Sequence, residues 1–307
     1  MSWFRWWRRG HAASAGGTPQ TPARRARSLF SISGRKYLAN APYFLPKDDQ
    51  EVNRLDFQHY LFRFALKGNY AAPIAAPANI LDVGTGTGRW AMELAALFPA
   101  ANVIGLDVVP PPADDTPTLG YGLDRRPDNY VYVQGNILDG LPFPDATFDF
   151  VHQRLLVAAL PEDRWPWVVG ELLRVTRPGG WVELLEAIPT QGGPGMNLLY
   201  RWLVAVGLKR GVNILVTPNI GNFLRMAGAQ NVVQRNLPMA LGAWGGHAGV
   251  MMETNYYALH NGLRAMMVAQ HITTAEAIEE AMEAARREIA QGRYIWPYFL
   301  AYGQRPG

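Results

Sequence analysis

Asp82, Gly84, Thr85, Gly86 and Gly88 fall in one run, Ile80-Leu81-Asp82-Val83-Gly84-Thr85-Gly86-Thr87-Gly88-Arg89-Trp90. An apolar strand leads into a carboxylate, then into alternating glycines, then into a helical stretch. Glycine lets the chain turn tightly and lets a ligand lie against bare backbone, because no Cβ intervenes. The free N–H groups that open the following helix add a polar cradle. These residue types at this spacing point to a nucleotide-like ligand. A second acid, Asp107, ends the apolar run 101–106, 23 residues after Gly84. At the carboxyl end of a strand, such an acid can accept both hydroxyls of a ribose.

Spacing narrows the ligand. The dinucleotide pattern Gly-x-Gly-x-x-Gly seats a pyrophosphate on the helix N-terminus. Here the third glycine comes one residue early, at Gly88, and Arg89 stands where that pattern needs glycine. Asp82 would repel a pyrophosphate but suits a cationic group. S-adenosylmethionine carries an ammonium, a sulfonium and an adenosine, and no phosphate, so the chemistry favours it over NAD. Further along lie Leu141-Pro142-Phe143-Pro144-Asp145-Ala146-Thr147-Phe148-Asp149-Phe150-Val151-His152 and Arg177-Pro178-Gly179-Gly180-Trp181. Together these segments resemble a class I S-adenosylmethionine-dependent methyltransferase. More narrowly, the chain is similar to the branch that includes fungal secondary-metabolism regulator methyltransferases and their bacterial relatives. That likeness rests on Tyr43-Phe44-Leu45-Pro46-Lys47-Asp48-Asp49-Gln50-Glu51, on Arg54-Leu55-Asp56-Phe57-Gln58-His59, on Trp90, and on Tyr302-Gly303-Gln304-Arg305-Pro306. It spans roughly residues 37–306.

The resemblance implies an α/β fold: a Rossmann-like, seven-stranded, mostly parallel sheet with an antiparallel last strand, plus helical cap insertions. It implies S-adenosyl-L-methionine as cofactor, held by Asp82, Gly84, Thr85, Gly86, Gly88, Asp107, Val108, Asn136 and Ile137. His59, on an N-terminal helix, would close over it with Tyr43 and Arg54, with Gln153 and Arg154 beside it. Asn136 departs from the aspartate that many relatives place there, yet its side-chain oxygen can still accept from the adenine amino group; Asp139 is an alternative. His152 ends the fourth strand, where an imidazole could take a proton from an acceptor; packing, or contact with the cofactor carboxylate, is the competing role. Glu186 and His247 are further catalytic candidates. Tyr256, Tyr257 and His260 could face a substrate, although aromatics at helical spacing commonly pack a core. The six histidines show no metal-ligand spacing, so no metal is expected.

The elements that must position these residues alternate. A helix over 48–66 precedes strands at 79–83, 102–108, 130–134, 148–152 and 181–186, with helices at 89–98 and 161–175 between them. Alternation at this spacing implies a parallel sheet covered on both faces. The later order differs: helices at 196–209 and 217–227, a strand at 231–237, helices at 250–270 and 275–290, and a last strand at 294–302. Segments of about 37–70, 190–228 and 241–292 are the expected cap, within one methyltransferase domain over 37–307.

With 49% hydrophobic and 18% charged residues, the chain is an ordinary folded protein. It has no cysteine, which excludes disulfides, thiolate ligands and a thiol nucleophile. Residues 1–31 hold six arginines and no acids, so of the net +4 the remaining residues contribute −2. The basic balance belongs to that tail, and no nucleic-acid face is implied. Residues 1–36 read as a basic, flexible extension whose Trp and Arg could touch a membrane surface or an acidic partner. No secretory signal and no membrane span is expected, hence a cytoplasmic location. The expected activity is methyl transfer to a small, largely apolar or aromatic acceptor, with regulatory or protein-directed methylation as the alternative.

Overall fold

The computed structural model describes residues 29–39, 41–111 and 126–307. Seven strands form the central sheet: β3 (Asn79–Val83), β4 (Asn102–Asp107), β5 (Tyr130–Gln134), β6 (Phe148–Arg154), β7 (Thr176–Ala187), β8 (Gln230–Leu241) and β9 (Tyr294–Gln304). Their spatial order is β5-β4-β3-β6-β7-β9-β8. The pairs from β5 through β7 are parallel, and β9 runs antiparallel to both neighbours. This is the expected architecture, with the last strand inserted between β7 and β8. Strand order reverses at β3, which has β4 on one side and β6 on the other. A crevice therefore opens beyond the carboxyl end of β3, where open α/β sheets bind ligands.

β3 and β4 read as continuous apolar runs because helices cover both sheet faces. On one face Ile80, Val103, Tyr130 and Phe150 pack with Trp90, Ala91 and Leu94 of helix α2 (Arg89–Leu97). On the other, Leu81, Val83, Ile104 and Val151 join a larger core with Val168, Val169 and Leu172 of α3 (Trp165–Val175).

Helix α1 (Asp49–Leu66) begins where Asp48 accepts a hydrogen bond from Glu51 N at 3.1 Å. It lies against α6 (Gly246–Ala269), while α4 (Pro194–Leu208) packs on α7 (Ala275–Gln291). Leu55 of α1, Leu203 of α4 and Leu259 of α6 wall a cavity beside the crevice, and these helices are its cap, whereas α5 (Ile220–Met226), expected in the cap, packs on β8, β9 and α3. Thr274 caps α7, accepting from Ala277 N at 3.2 Å.

The extension expected over 1–36 needs correction at its end. Strands β1 (Leu29–Ile32) and β2 (Arg35–Leu38) form an antiparallel hairpin. Its Tyr37 and Leu38 are buried, and the Tyr37 hydroxyl donates to Gly262 O of α6 at 3.0 Å. The Trp/Arg segment lies in residues 1–28, outside the described residues. Among the described residues no helix is long and apolar enough to cross a membrane.

Candidate functional site

The turn after β3 takes its shape from three glycines, with φ of +73° at Gly84, +57° at Gly86 and +77° at Gly88. L side chains rarely adopt this region. A Cβ on Gly84 would come within 2.5 Å of Leu156 Cδ2, and one on Gly88 within 2.8 Å of the Tyr130 hydroxyl. The turn is pinned from beneath: Gly84 N and Thr85 N donate to Leu106 O, and Gly86 N donates to Asp107 Oδ2 at 2.9 Å. Asp82 is itself almost buried. Its Oδ2 accepts from the Thr85 hydroxyl at 2.7 Å, and its Oδ1 lies 2.9 Å from His152 Nδ1. A carboxylate can only accept, so Nδ1 carries the proton of that bond.

Three connected cavities surround this turn. The first, about 630 Å³ with its open mouth, is lined by Asp82, Gly84, Thr85, Gly86, Trp90, Asp107 and Arg154. The second, about 530 Å³, continues past Asp107 to Val108, Asn136, Ile137 and Leu138. The third, about 620 Å³, is apolar and lies under the cap, walled by Phe44, Leu45, Val157, Leu203, Ile214, Leu259, Trp296 and Tyr298. Tyr43, Leu55, Gln58 and Leu155 line both the first and the third, so the two meet at that wall.

The structure brings Tyr43, Asp82, Gly84, Thr85, Gly86, Asp107, Val108, Asn136, Ile137 and Arg154 to the first two cavities. Arg154 is half-buried and makes no ion pair with a carboxylate among the described residues; its guanidinium approaches His59 Nδ1 at 3.3 Å. Asn136 Oδ1 accepts from Leu138 N at 3.2 Å and so caps the short turn Ile137–Asp139. Asp139 is exposed and lines none of the three cavities.

Several expected positions turn out otherwise. Arg54 lines the apolar cavity rather than the glycine turn. Its guanidinium is held by both oxygens of Glu51, at 2.6 and 2.8 Å, and by Asn255 Oδ1 at 3.0 Å. His59 stands one layer behind, between Arg154 and Glu93, and burial pushes its pKa below the usual imidazole value. His152 lines none of the three cavities. It stacks on Trp90, centroids 3.8 Å apart, because β6 sets it beside Asp82 in register. Gln153 is fully buried and bonds to Glu186.

Glu186 is also fully buried and faces inward. It accepts from Leu156 N at 3.0 Å, Val157 N at 2.9 Å and Gln153 Nε2 at 3.3 Å. It thereby fixes the turn after β6, where Leu155 sits at φ +56°. Burial raises its carboxyl to about 8. His247 is exposed, edge-on to Phe64, away from every cavity described. None of the three catalytic candidates lines the cavities. Tyr256 and His260 are packed in the core of α6, against Trp296 and each other, and Tyr257 packs on Tyr256.

Sequence reasoning missed Lys47, whose Nζ lies 3.8 Å from Asp107 Oδ1 and 4.9 Å from the Tyr43 ring centroid. It also missed Leu55, Gln58, Leu155, Trp296 and Tyr298 as cavity walls. The 51, 54/55, 58 spacing on α1 was the available signal, an inward stripe that happens to be polar.

Residues 80–180 match a family model described as a methyltransferase domain. Methyltransferase str2 of Strobilurus tenacellus is 33% identical over 177 residues, covering 57% of this chain and 58% of that protein. N-methyltransferase tcpN of Claviceps purpurea is 28% identical over 287 residues, covering 84% of this chain and 95% of that protein. Secondary metabolism regulator laeA of Aspergillus fumisynnematus is 31% identical over 161 residues, 51% of this chain and 40% of that protein. The chain thus spans little more than half of str2, less than half of laeA, and nearly all of tcpN.

Proposed function

We propose, for a chain that belongs to the class I S-adenosylmethionine-dependent methyltransferases, that it methylates a small, largely apolar or aromatic molecule of specialised metabolism. One observation carries this reading: an apolar cavity opens directly onto the glycine-turn cavity through Tyr43, Leu55, Gln58 and Leu155. The residues around the turn suit S-adenosylmethionine. A Cβ at Gly84 would meet Leu156 and one at Gly88 the Tyr130 hydroxyl, so packing holds those two as glycine and Gly88 lines none of the cavities; nothing stands closer than 3.9 Å to a Cβ built on Gly86, so the backbone there is bare toward the first cavity. The first cavity carries acids at Asp82 and Asp107 and cations at Arg154 and Lys47, the latter beside Asp107, among them the charges a zwitterionic amino-acid group and a ribose require. In this reading Asp82 takes the ammonium side, Arg154 the carboxylate, and Asp107 the ribose hydroxyls. Asn136 and Ile137 border the adenine.

S-adenosylmethionine supplies a methyl group already made electrophilic by its sulfonium. What this chain adds is alignment of the acceptor and exclusion of water, which alone can supply much of a rate. Val157, Leu203, Ile214 and Trp296 exclude water, and Tyr43 and Leu155 form the neck. Incubating the protein with methyl-labelled S-adenosylmethionine and an extract of its producer tests the proposal: label should appear in a compound below about 1 kDa, the size such a cavity encloses. Label found only in protein would reject it.

The likeness to laeA favours a second reading, a regulatory methyltransferase working in a complex. Deleting residues 1–28 discriminates, since a partner captured equally well without them removes the tail as a docking element.

A further inference from the structure

Where the two cavities meet stand two polar side chains, Tyr43, whose ring lies under Lys47, and Gln58. Gln58 is 7% exposed and lines both cavities, and its amide has no hydrogen-bond partner among the described residues. Buried amides are rarely left so. Unfixed, this one can turn Oε1 toward the neck. Around it the wall is free of bases. Tyr43 and Tyr298 are phenols that burial holds protonated, and Arg54 has its charge cancelled by Glu51. Among the described residues no histidine, lysine or carboxylate lines the apolar cavity. In the adjoining first cavity the titratable groups are engaged with one another, Lys47 beside Asp107 and Asp82 with Thr85 and His152, while His152 and Glu186 line none of the three cavities.

We infer that the acceptor atom is the nitrogen of an uncharged amine bearing at least one N–H, and that Gln58 Oε1 accepts that N–H and so aims the nitrogen lone pair. The inference rests on the small-molecule reading above. The transfer balances without a base. The lone pair forms the new N–C bond, and the S–C bond breaks with its electrons left on sulfur, which becomes a neutral thioether. The positive charge passes to nitrogen, and the ammonium product gives up its proton to water after release. A hydrogen bond strengthens as its donor becomes cationic, so the Gln58 contact favours the transition state over the ground state. An alcohol would have to shed its proton in a neck where none of the described residues stands ready to take it. A carboxylate would need a cation, and that of Arg54 is spent.

The test compares tryptamine and phenethylamine with their hydroxyl counterparts, tryptophol and phenethyl alcohol, using the full chain and methyl-labelled S-adenosylmethionine. The amines should be methylated, with kcat/KM rising with pH as each amine loses its own proton, and the alcohols at least about 100-fold more slowly. Gln58→Leu should lower kcat/KM for the amines by about 10- to 100-fold, mainly in kcat, the worth of a hydrogen bond to a charged group. Gln58→Glu keeps an accepting oxygen and should recover most of that loss. Calorimetric binding of S-adenosylhomocysteine by both variants checks that they fold. Comparable methylation of the alcohols, or amine rates untouched by Gln58→Leu, would overturn the inference. If neither class is methylated while S-adenosylhomocysteine binds, the small-molecule reading itself fails, and this one with it.

Discussion

Glu186→Gln should abolish the loss of stability expected of the native protein as pH rises from about 4.5 to about 8. Glu186 is fully buried at the end of β7, and burial carries its carboxyl from 4.5 to about 8 against the pull of three donors, Val157 N, Leu156 N and Gln153 Nε2. The unfolded chain releases this proton near 4.5, whereas the folded chain keeps it until about 8. Between those values the folded state binds more protons, so the free energy of unfolding falls with rising pH and levels off above about 8. At about 1.4 kcal/mol per decade, the whole excursion amounts to at most about 5 kcal/mol. Glutamine cannot titrate. Its oxygen can serve Leu156 N and Gln153 Nε2, but its NH₂ then faces Val157 N–H, an unmet donor costing about 1–3 kcal/mol at every pH. Urea unfolding followed by tryptophan fluorescence, at pH 5, 6.5 and 8.5, reads the difference. The variant should be the less stable at pH 5, and the gap should close or reverse by pH 8.5. Parallel pH dependences for the two proteins would refute the reasoning, because they would mean that the three donors outweigh burial and Glu186 is ionised throughout.

Asp107→Asn keeps the side chain's volume but removes the charge that accepts from Gly86 N and Val109 N, and calorimetric affinity for S-adenosylmethionine should fall about 10- to 100-fold. His152→Phe keeps a ring against Trp90 but strips Asp82 of its Nδ1–H partner. Cofactor affinity should weaken while the pH profile of kcat keeps its shape; loss of a limb of that profile would instead make His152 a proton acceptor. His247→Ala, on the exposed start of α6, should leave kcat and cofactor affinity within roughly twofold of the native values in the same assays.

The part of the site that sequence made legible is the part built by neighbours along the chain. The glycine turn, Asp107 at its strand end, and Asn136 opening the next turn are each fixed by a few consecutive residues. Strands buried on both faces, such as Asn79–Val83, announce themselves as apolar runs. His152 and Glu186 lie outside the three cavities for a different reason, since their surroundings come from across the sheet. His152 meets Asp82 only because β6 pairs with β3 in that register, 70 residues apart in sequence. Glu186 turns inward because the turn at Leu155 brings two backbone N–H groups to it.

The cap was hardest to read, and α1 shows why. Glu51, Arg54, Leu55 and Gln58 recur at the spacing of one helix face. Hydrophobic periodicity assigns such a polar stripe to solvent, yet Glu51, Arg54 and Gln58 are all buried, because α6 supplies Asn255 to one of them and the cavities receive another. Successive residues on a helix point about 100° apart, so Gln58 reaches the neck while His59, the residue that looks more reactive in sequence, turns away to Glu93. With Gln58 aiming the acceptor as proposed, choice of acceptor would depend on how α1 docks, a long-range property. A substitution on the buried side of that docking, such as Asn255→Leu, should alter acceptor preference before it alters cofactor affinity, because Asn255 touches Arg54 and not the glycine turn. An equal loss of both, measured as KM for the acceptor and calorimetric affinity for S-adenosylmethionine, would show that the two cavities are not separately held.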